Sequence, residues 1–300
     1  MNTTFLNLHF APPVLEDKPL IDGIFRRYPP ELALYTVSTL LSWQHAFSYG
    51  YRFDGKDLLL FSVTVNGEKQ LLQPVGDFRA MGEEIVLRGI RQSHLPVRIS
   101  GVSHSFVLQY RDFCSHFTIA LDPSMANYLY LASSLSSLSG KYYEKKRNLV
   151  SQARRLYRFE VIRLHPDYIQ ARLPELMGLA DPGSEESIGL GQEMIALKYA
   201  LEHFKALHLE GIAIETEGHP VALSIFEPLN PATAVIHFEK GDRRYKGIYQ
   251  LVNQEAAKII SEAGYRYINR EEDMGILSLR RAKMSYAPIA VLSSYVLTSR

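Results

Sequence analysis

The segment between residues 232 and 286 constrains the fold most strongly. It begins with a β-type run at 233–238, passes through a loop of Gly, Asp and Arg, and continues into a predicted helix over 247–263. A short strand over 265–268, a charged turn and a helix over 274–283 follow. The start of a helix carries free N–H groups and the positive end of the helix dipole, so it can hold an anion. The segment therefore predicts an α/β fold with an anion site at the loop.

Composition sets the class of protein. A chain of 300 residues with 46% hydrophobic residues can form one large or two medium domains. A charged fraction of 22% and a net charge of +1 exclude a globally basic or disordered chain. The single Cys114 excludes an intramolecular disulfide and a cysteine-based zinc cage, and we expect it to be a buried thiol. Because no His-x-x-x-His or Glu-x-x-His spacing occurs, no metal is predicted.

The chain carries no predicted targeting or membrane segment. The first residues, MNTTFLNLHFAPP, lack a basic region followed by a long apolar run. No stretch reaches the roughly 18 uninterrupted apolar residues that a membrane span needs. We therefore expect a cytoplasmic protein without an integral membrane segment, and peripheral membrane contact stays open.

The two halves of the chain carry the same order of predicted elements. Each has helices, an antiparallel hairpin, and then strand, helix, strand, short helix and strand. In the first half these last five elements lie at 70–74, 78–92, 96–100, 103–113 and 117–121. In the second half they lie at 233–238, 247–263, 265–268, 274–283 and 290–298. Other predicted elements are a helix over 31–47, a long helical connector over 129–157, a loop over 180–187 and a helix over 190–207.

This pattern predicts mixed α/β sheets in two domains, one over 1–140 and one over 141–300. The first half keeps no cationic Gly loop at the corresponding place, where it reads QPVGDFRAMG. We therefore expect the first domain to be a scaffold and the second to hold the active cleft.

The loop itself resembles a known phosphate-binding loop. It reads Arg244-Tyr-Lys-Gly247-Ile-Tyr249, which is similar to the Arg/Gln-x-x-Gly-x-Gly/Ala loop with which the GNAT acyltransferase fold cradles the pyrophosphate of coenzyme A. Tyr249 stands where that loop has a small residue, and its side chain would crowd a phosphate.

Motifs in both halves resemble a bacterial family of mostly uncharacterised proteins related to the C-terminal domain of phosphatidylglycerol lysyltransferase. More distantly, the chain resembles the Fem-type aminoacyltransferases. The resemblance implies tandem GNAT-like domains and transfer of an aminoacyl group from a charged tRNA to an amine or hydroxyl. The most specific stretch is the last, INREEDMG with LRRAK and SY. The matching motifs lie at 138–141, 145–148, 193, 200–201, 207–211, 237–240, 246–250, 253, 268–275, 279–283 and 285–286.

The polar turn over 269–273 is the strongest candidate for chemistry. Aminoacyl transfer needs a site for the ammonium of the amino acid and donors for the developing oxyanion. Glu271 and Asp273 suit ammonium binding or base catalysis, and Arg270 beside Asn269 suits a carboxylate or phosphate. The structural alternative is that Asp273 caps the next helix and Arg270 pairs with a neighbour.

Side chains flanking this turn complete the predicted cleft. If the strand alternates, His237 and Glu239 share one face, although a lone His in a strand is usually half-buried and hydrogen-bonded. Lys283 and Tyr286 lie at the end of the following helix, where a Lys also suits the helix dipole. The other predicted substrate-binding residues come from the loop and the helix after it: Arg244, Lys246, Gly247, Tyr249 and Asn253.

The densest basic run offers a surface for an anionic partner. With Tyr142 and Tyr143 between the charges, it could meet tRNA phosphates or an anionic head group. A solvated helix face is an equal alternative. Lys145 and Arg147 are the predicted contacts within a run of Lys141, Lys145, Lys146, Arg147, Arg154 and Arg155.

The function expected from these features is acyl or aminoacyl transfer to an amine or hydroxyl. Catalysis would rest on positioning and electrostatics, because no covalent nucleophile is evident. No cofactor is certain, and the donor is aminoacyl-tRNA or acyl-coenzyme A. Two alternatives stay open: a non-catalytic protein that binds an anionic ligand on the same fold, and a coenzyme A-dependent N-acyltransferase.

Overall fold

The computed structural model describes residues 3–55, 57–79, 81–180 and 188–300, and the side chains of 188–190 are not described. By packing, the chain forms two compact units. The N-terminal unit comprises Met1–Asn127, Glu272–Gly275 and Leu292–Arg300, and the C-terminal unit comprises Tyr128–Glu271 and Ile276–Val291. The division after Asn127 differs from the expected one after 140, and the last strand of the chain packs in the N-terminal unit.

The elements follow one another in an α/β pattern. The strands are β1 (Thr3–Phe5), β2 (Leu8–Phe10), β3 (Gly50–Phe53), β4 (Leu58–Val65), β5 (Glu68–Leu72), β6 (Val75–Gly76), β7 (Arg98–Ser103), β8 (Phe117–Leu121), β9 (Asn127–Leu131), β10 (Phe159–Arg163), β11 (Glu210–Thr216), β12 (His219–Asn230), β13 (Thr233–Gly241), β14 (Tyr267–Asn269), β15 (Ala290–Leu292) and β16 (Ser294–Ser299). The helices are α1 (Lys18–Arg27), α2 (Val37–Ser42), α3 (Gln44–Phe47), α4 (Met81–Arg91), α5 (His104–Gln109), α6 (Arg111–Cys114), α7 (Ala132–Ser137), α8 (Glu144–Leu156), α9 (Pro166–Gly178), α10 (Ile188–Glu202), α11 (Ile248–Glu262) and α12 (Leu277–Met284). Short 3-10 helices cover Leu15–Asp17, Pro123–Met125 and Lys141–Tyr143.

The sheet of the N-terminal unit has the order β3-β4-β5-β7-β16-β8, and β6 pairs with β4. Strands β5 and β7 are parallel, because α4 makes the crossover between them. The other recorded pairs in this sheet are antiparallel. Phe78 lies at the centre of the core, with its ring 5.5 Å from that of Phe106 and 4.9 Å from that of Phe113.

The sheet of the C-terminal unit repeats this design. Its order is β10-β11-β12-β13-β14-β9-β15, and β13 and β14 are the parallel pair joined through α11. Apolar residues of α11, such as Leu251 and Ala256, are buried in one core cluster with Ile236 of β13 and Phe226 of β12. The predicted mixed α/β fold with a repeated order of elements is confirmed.

Two predicted helices differ from the observed structure. The helix expected over 31–47 begins only at Val37, because the Thr36 side chain accepts the N–H of Thr39 and caps the helix there. Residues 129–157 are not one connector. They begin as β9, in which Tyr128 and Tyr130 are buried two positions apart, as a strand buried on that face requires, and then continue as α7 and α8.

The final predicted strand is also different. Residues 290–298 form two strands, of which β15 lies next to β9 while β16 pairs with β7 and β8 in the other sheet. A sequence repeat cannot distinguish these destinations, because both segments are equally β-like. The loop expected over 180–187 lies, beyond Ala180, outside the described residues.

Helix α11 begins directly after Gly247, which packs against α8. Gly247 has a φ of 84°, and a Cβ at this position would lie 2.2 Å from the carbonyl oxygen of Leu149. A backbone oxygen cannot move aside as a flexible side chain can. The close approach of α11 to α8 therefore requires a glycine here, independently of any phosphate.

Substitution of Gly247 tests this packing role. Gly264, at the other end of α11, has a φ of 93° but open space around its Cβ position, so it is a matched control. We expect Gly264→Ala to lower the free energy of unfolding by about 1–2 kcal/mol through backbone strain alone. Gly247→Ala should lower it further, because it adds the contact with Leu149. Urea unfolding measures both, and equal losses would contradict the packing explanation.

Candidate active site in the C-terminal unit

A β-bulge in β13 redirects His237. Across the β12–β13 pair, Ile225 faces Phe238 while Phe226 faces Ile236, so His237 is the additional residue. A bulge interrupts regular alternation and can turn a side chain toward a site. The expectation that His237 and Glu239 alternate onto one face therefore fails locally, and the bulge determines where His237 points.

His237 joins two carboxylates. Its Nδ1 lies 2.7 Å from Glu271 Oε1 and its Nε2 lies 2.8 Å from Glu227 Oε1. The side chains of His237 and Glu227 are each 6% exposed, whereas that of Glu271 is 27% exposed. We call these three residues the carboxylate–imidazole centre. Its Glu227 end is buried, and its Glu271 end is accessible to solvent.

The two carboxylates keep the His237 ring charged. Burial alone lowers its pKa, but the hydrogen bonds that the ring donates to Glu227 and Glu271 outweigh burial and raise the pKa to about 10. At neutral pH the ring is an imidazolium that donates from both nitrogens, so it cannot act as a general base. With both carboxyl groups ionised, the centre has one more negative charge than positive.

Glu271 is held in a left-handed conformation. Its φ is 56°, which is uncommon for a residue other than glycine. Its N–H donates to Asn269 Oδ1 at 2.8 Å, and its carbonyl accepts the N–H of Tyr128 at 3.2 Å. Buried Asn269 therefore positions Glu271 and has a supporting role. A non-glycine residue kept in this region by its surroundings is a frequent feature of functional sites.

Arg270 forms a second polar cluster with Glu239 and Asn253, separate from the carboxylate–imidazole centre. Its Nη2 donates to Glu239 Oε1 at 2.8 Å, and Asn253 Nδ2 donates to Glu239 Oε2 at 2.9 Å. The guanidinium lies 4.8 Å from the ring centre of Tyr286 and 5.7 Å from that of Tyr130. Arg270 Nη1 and Asn253 Oδ1 are buried and have no hydrogen-bond partner among the residues that the structure describes. Arg270 therefore has a partner in Glu239, as the structural alternative held, and retains one unused donor.

Lys283, Tyr286 and Lys146 surround this cluster. Lys283 is buried and its Nζ donates to the Arg270 carbonyl oxygen. Burial raises the pKa of Tyr286 to about 12, and its ring lies 4.4 Å from Lys146 Nζ. Burial, Arg270 and Lys145 lower the pKa of Lys146, which donates to Ser285 Oγ at 2.7 Å.

Asp273, the second predicted catalytic carboxylate, packs in the N-terminal unit. It is fully buried, and its Oδ1 accepts the N–H of Gly275 at 2.8 Å. Helix α12 has Ile276 as its N-cap, so Asp273 closes a turn ahead of the helix and does not cap it. Two residues apart in sequence, Glu271 and Asp273 belong to different units.

Backbone N–H groups of the cationic loop before α11 form hydrogen bonds within the protein. The N–H groups of residues 242, 244, 245, 246 and 248 donate to Val221 O, Asp242 Oδ1, Asp242 O, Tyr157 Oη and Tyr245 O. Arg244 is paired with Asp242 at 2.6 Å, and Lys246 is exposed. The Tyr249 ring lies 3.5 Å from the Cβ position of Gly241. A coenzyme A pyrophosphate would have to displace these internal bonds, so the loop geometry does not favour it.

In the predicted basic run, some side chains bond to other parts of the protein and others are exposed to solvent. Arg147 donates to the carbonyl oxygens of Leu138 and Gly140, and Arg154 pairs with Glu255. Lys145 is exposed. Arg147 therefore stabilises the chain between α7 and α8, and Lys145 stays a candidate for an external anion.

Sequence analysis missed Glu227 and Tyr130. Glu227 interrupts the long apolar run VALSIFEPL of β12, and an isolated carboxylate in such a run is a detectable signal, since burying it requires a partner. Tyr130 is not among the predicted site residues, because the sequence pattern around it predicts a helix and not strand β9.

Comparison with known proteins shows the family. The model of the family "Phosphatidylglycerol lysyltransferase, C-terminal" matches residues 25–298. A conserved protein of unknown function from Bacteroides thetaiotaomicron is 31% identical, with 97% of this chain and 99% of that chain covered and a TM-score of 0.86. Among curated proteins, no sequence matches.

Two more distant structures share the fold. L-PGS from Bacillus licheniformis has a TM-score of 0.65 at 15% identity, covering 95% of this chain and 92% of that one. FemX has a TM-score of 0.59 at 8% identity, covering 97% and 96%. Because the family model matches residues 25–298, the chain belongs to the phosphatidylglycerol lysyltransferase C-terminal family. The predicted similarity of its fold to the Fem-type proteins is confirmed by FemX. Within the described ranges, no helix is long and apolar enough to cross a membrane.

The charged state of His237 predicts a pH dependence. Since its pKa rises from 6.5 to about 10 on folding, its contribution to stability is complete below pH 6.5 and is lost as the pH rises through 10. We expect the free energy of unfolding to fall over this window by at most about 1.4 kcal/mol per pH unit. Urea unfolding from pH 6.5 to 10 measures this decline.

The matched control is His219, which is also bonded to a glutamate, Glu175, at 2.9 Å but is 71% exposed. His237→Gln should reduce the fall of the free energy of unfolding between pH 6.5 and 10, whereas His219→Gln should leave that fall unchanged. If His237→Gln does not fold, ring nitrogen shifts of wild-type His237 give the answer directly. A His237 ring that loses its proton near pH 6.5 would contradict the assigned charge.

Proposed function

We propose that the protein transfers an aminoacyl group from aminoacyl-tRNA to an amine or hydroxyl acceptor. The observation that carries the proposal is the carboxylate–imidazole centre, in a chain that belongs to the phosphatidylglycerol lysyltransferase C-terminal family. FemX and L-PGS support it as proteins with the same fold.

Glu271 is the proposed anchor for the α-ammonium of the aminoacyl group. Its carboxylate is the exposed end of a centre with excess negative charge, and His237 fixes one of its oxygens. The left-handed backbone of Glu271 and the hydrogen bond that its N–H donates to Asn269 limit its movement. A preorganised carboxylate can bind a cation with little loss of side-chain entropy on binding.

The transfer itself needs no protein nucleophile. The acceptor nitrogen or oxygen attacks the ester carbonyl carbon and forms the new C–N or C–O bond, and the bond to the ribose oxygen breaks. The acceptor loses one proton and the leaving ribose oxygen gains one, so the reaction is balanced in protons. Positioning and electrostatic stabilisation carry such a reaction.

Aminoacyl-tRNA is the favoured donor, because the loop before α11 is poorly suited to bind the alternative donor, acyl-coenzyme A. Five backbone N–H groups of the loop, those of residues 242, 244, 245, 246 and 248, are bonded within the protein, and the Tyr249 ring lies over Gly241. The exposed Lys145 and Lys141 provide the proposed contact for tRNA phosphates.

Substitution of Glu271 by Gln tests the proposal. Gln keeps the size and the hydrogen bond from His237 but removes the charge that binds ammonium. We expect kcat/KM for transfer to fall roughly 10- to 100-fold, the range for losing a hydrogen-bonded charge pair. The assay uses total tRNA charged with radiolabelled amino acids, with phosphatidylglycerol vesicles as hydroxyl acceptor and a lysine-containing peptide as amine acceptor.

Glu175→Gln is the matched control, because Glu175 also bonds a histidine, His219, but lies away from the centre and is half-exposed. Its rate should equal that of the wild type. Wild-type activity in Glu271→Gln would refute the assigned role of Glu271. Absence of labelled product with every charged tRNA and both acceptors would refute the transferase proposal.

A further inference from the structure

Strand β8 (Phe117–Leu121) is an exposed edge of the sheet in the N-terminal unit. In the part of the chain that the structure describes, β16 is the only strand beside it. Its sequence, FTIAL, contains no charged residue and no proline, and its pairing with β16 has no bulge. Four of its five residues are exposed, Ile119 by 40% and Leu121 by 55%. Such a strand offers unpaired N–H and C=O groups and apolar side chains to another strand.

The other edges of the two large sheets are protected. At the opposite edge of the same sheet, β3 is covered by Ala11, which exchanges backbone hydrogen bonds of 2.8 and 2.9 Å with Tyr51. In the C-terminal unit, β10 carries Glu160 and Arg163, and β15 has three residues. Covering segments, charges and short strands are the means by which proteins prevent edge pairing. Since β8 has none of these protections, it is the edge most suited to pairing with another chain.

The pairing with β16 determines which backbone groups of β8 point to the open side. The N–H of Asp122 donates to the carbonyl oxygen of Ser294 at 2.8 Å, so these two residues form a hydrogen-bonded pair. Hydrogen-bonded and non-hydrogen-bonded pairs alternate along antiparallel strands. By this alternation, the residues whose N–H and C=O groups point away from β16 are Phe117, Ile119 and Leu121. Within the described ranges, none of the three has a backbone partner on that side.

A second copy of the chain fits this edge in one register. In an antiparallel pair with the two-fold axis at Ile119, this residue faces its own counterpart, and Phe117 faces Leu121 of the second copy. All three outward-pointing residues then form hydrogen-bonded pairs, with two N–H···O bonds in each pair. A shift of the axis to residue 118 or 120 leaves one of the three without a counterpart in β8 of the second copy. The backbone groups therefore favour the axis at Ile119.

The same register brings complementary side chains together. One residue beyond each end of the strand, His116 lies opposite Asp122 of the second copy. His116 is exposed, and an imidazole can donate to a carboxylate whether it is neutral or protonated. Between these two ends, Ile119 and Leu121 lie on the sheet face of buried Phe117, so the second copy covers their exposed apolar surface.

We infer that the protein forms a two-fold symmetric homodimer through β8. The sheets of the two N-terminal units become one continuous sheet, with the axis at Ile119 and contacts between His116 and Asp122 at both ends. A pair of five-residue strands is at the small end of interface sizes, so we expect a dissociation constant of about 10–100 μM. The dimer uses no residue of the carboxylate–imidazole centre, so it is independent of the proposed transfer reaction.

Sedimentation equilibrium of the full chain at about 1–300 μM tests the inference, because this range spans the expected dissociation constant. The mean mass should rise with concentration from that of one chain toward that of two. Ile119→Lys places two ammonium groups opposite each other at the axis and should weaken the dimer at least about tenfold. Val161→Lys is the matched control, since Val161 is 39% exposed in the edge strand β10. Its association should equal that of the wild type.

Cross-linking tests the register, whether or not Ile119→Lys folds. Facing Cα atoms in a hydrogen-bonded pair are about 5.5 Å apart, which suits a disulfide. With oxidised glutathione as the oxidant, Ile119→Cys should therefore form a covalent dimer. The native Cys114 is buried, so the wild type should not be cross-linked. Val161→Cys, the control for an exposed thiol on an edge strand, should also remain a single chain.

Three results would each overturn the inference. A wild-type chain that stays monomeric up to about 300 μM would leave β8 open to a strand of a different protein. A dimer that persists unchanged in Ile119→Lys would form through another surface. Equal cross-linking of Ile119→Cys and Val161→Cys would reflect random collision and not pairing of β8.

Discussion

The candidate site depends on one buried cation shared by two carboxylates. A lone glutamate at the position of Glu227, 6% exposed, would be costly to ionise. The His237 imidazolium compensates that charge and also holds Glu271, so a single ring links β12, β13 and the end of β14. Because the ring has no unused nitrogen, it orients its neighbours and takes no proton from a substrate.

The fold makes this arrangement possible through the parallel pair of the C-terminal sheet. Val235 of β13 pairs in parallel with Asn269, the last residue of β14. Two residues further along each chain lie His237, still within β13, and Glu271, just past the end of β14, and their side chains meet. The bulge at His237 turns the ring toward Glu271 and Glu227, while Glu239 faces Asn253 of α11. Two ionic clusters therefore lie one after the other along β13, the first open through Glu271 and the second buried around Arg270.

Sequence patterns predicted much of this fold. The strand–helix–strand crossovers were evident because β13, α11, β5 and α4 have clear periodicity and turn signals. The family motifs also led to Asn269, Arg270 and Glu271. The exchange of β9 and β16 between sheets was not predictable, because short β-like segments carry no information on their partners. The pairing of His237 with Glu227 depends on a bulge, which shifts the register by one residue and leaves no signal in alternation.

Gly247 is compatible with two roles, phosphate binding and close helix packing. A glycine before a helix suits a phosphate loop, but here it also permits α11 to approach Leu149 of α8. This second role depends on a contact between residues distant in sequence, as do the internal hydrogen bonds of the loop with Val221 and Tyr157, so the sequence does not predict either. The anion site predicted at this loop is thus less favoured than the carboxylate centre, which attracts the opposite charge.

The most direct test of the central claim is a crystal structure of the full chain with a 3′-aminoacylamino-adenosine, a stable analogue of the end of an aminoacyl-tRNA. The α-ammonium of the analogue should lie about 3 Å from the Glu271 carboxylate, the distance of a charge-assisted hydrogen bond, with His237 still bonded to Glu271 and Glu227. An analogue bound elsewhere, or with its ammonium turned away from Glu271, would contradict the account.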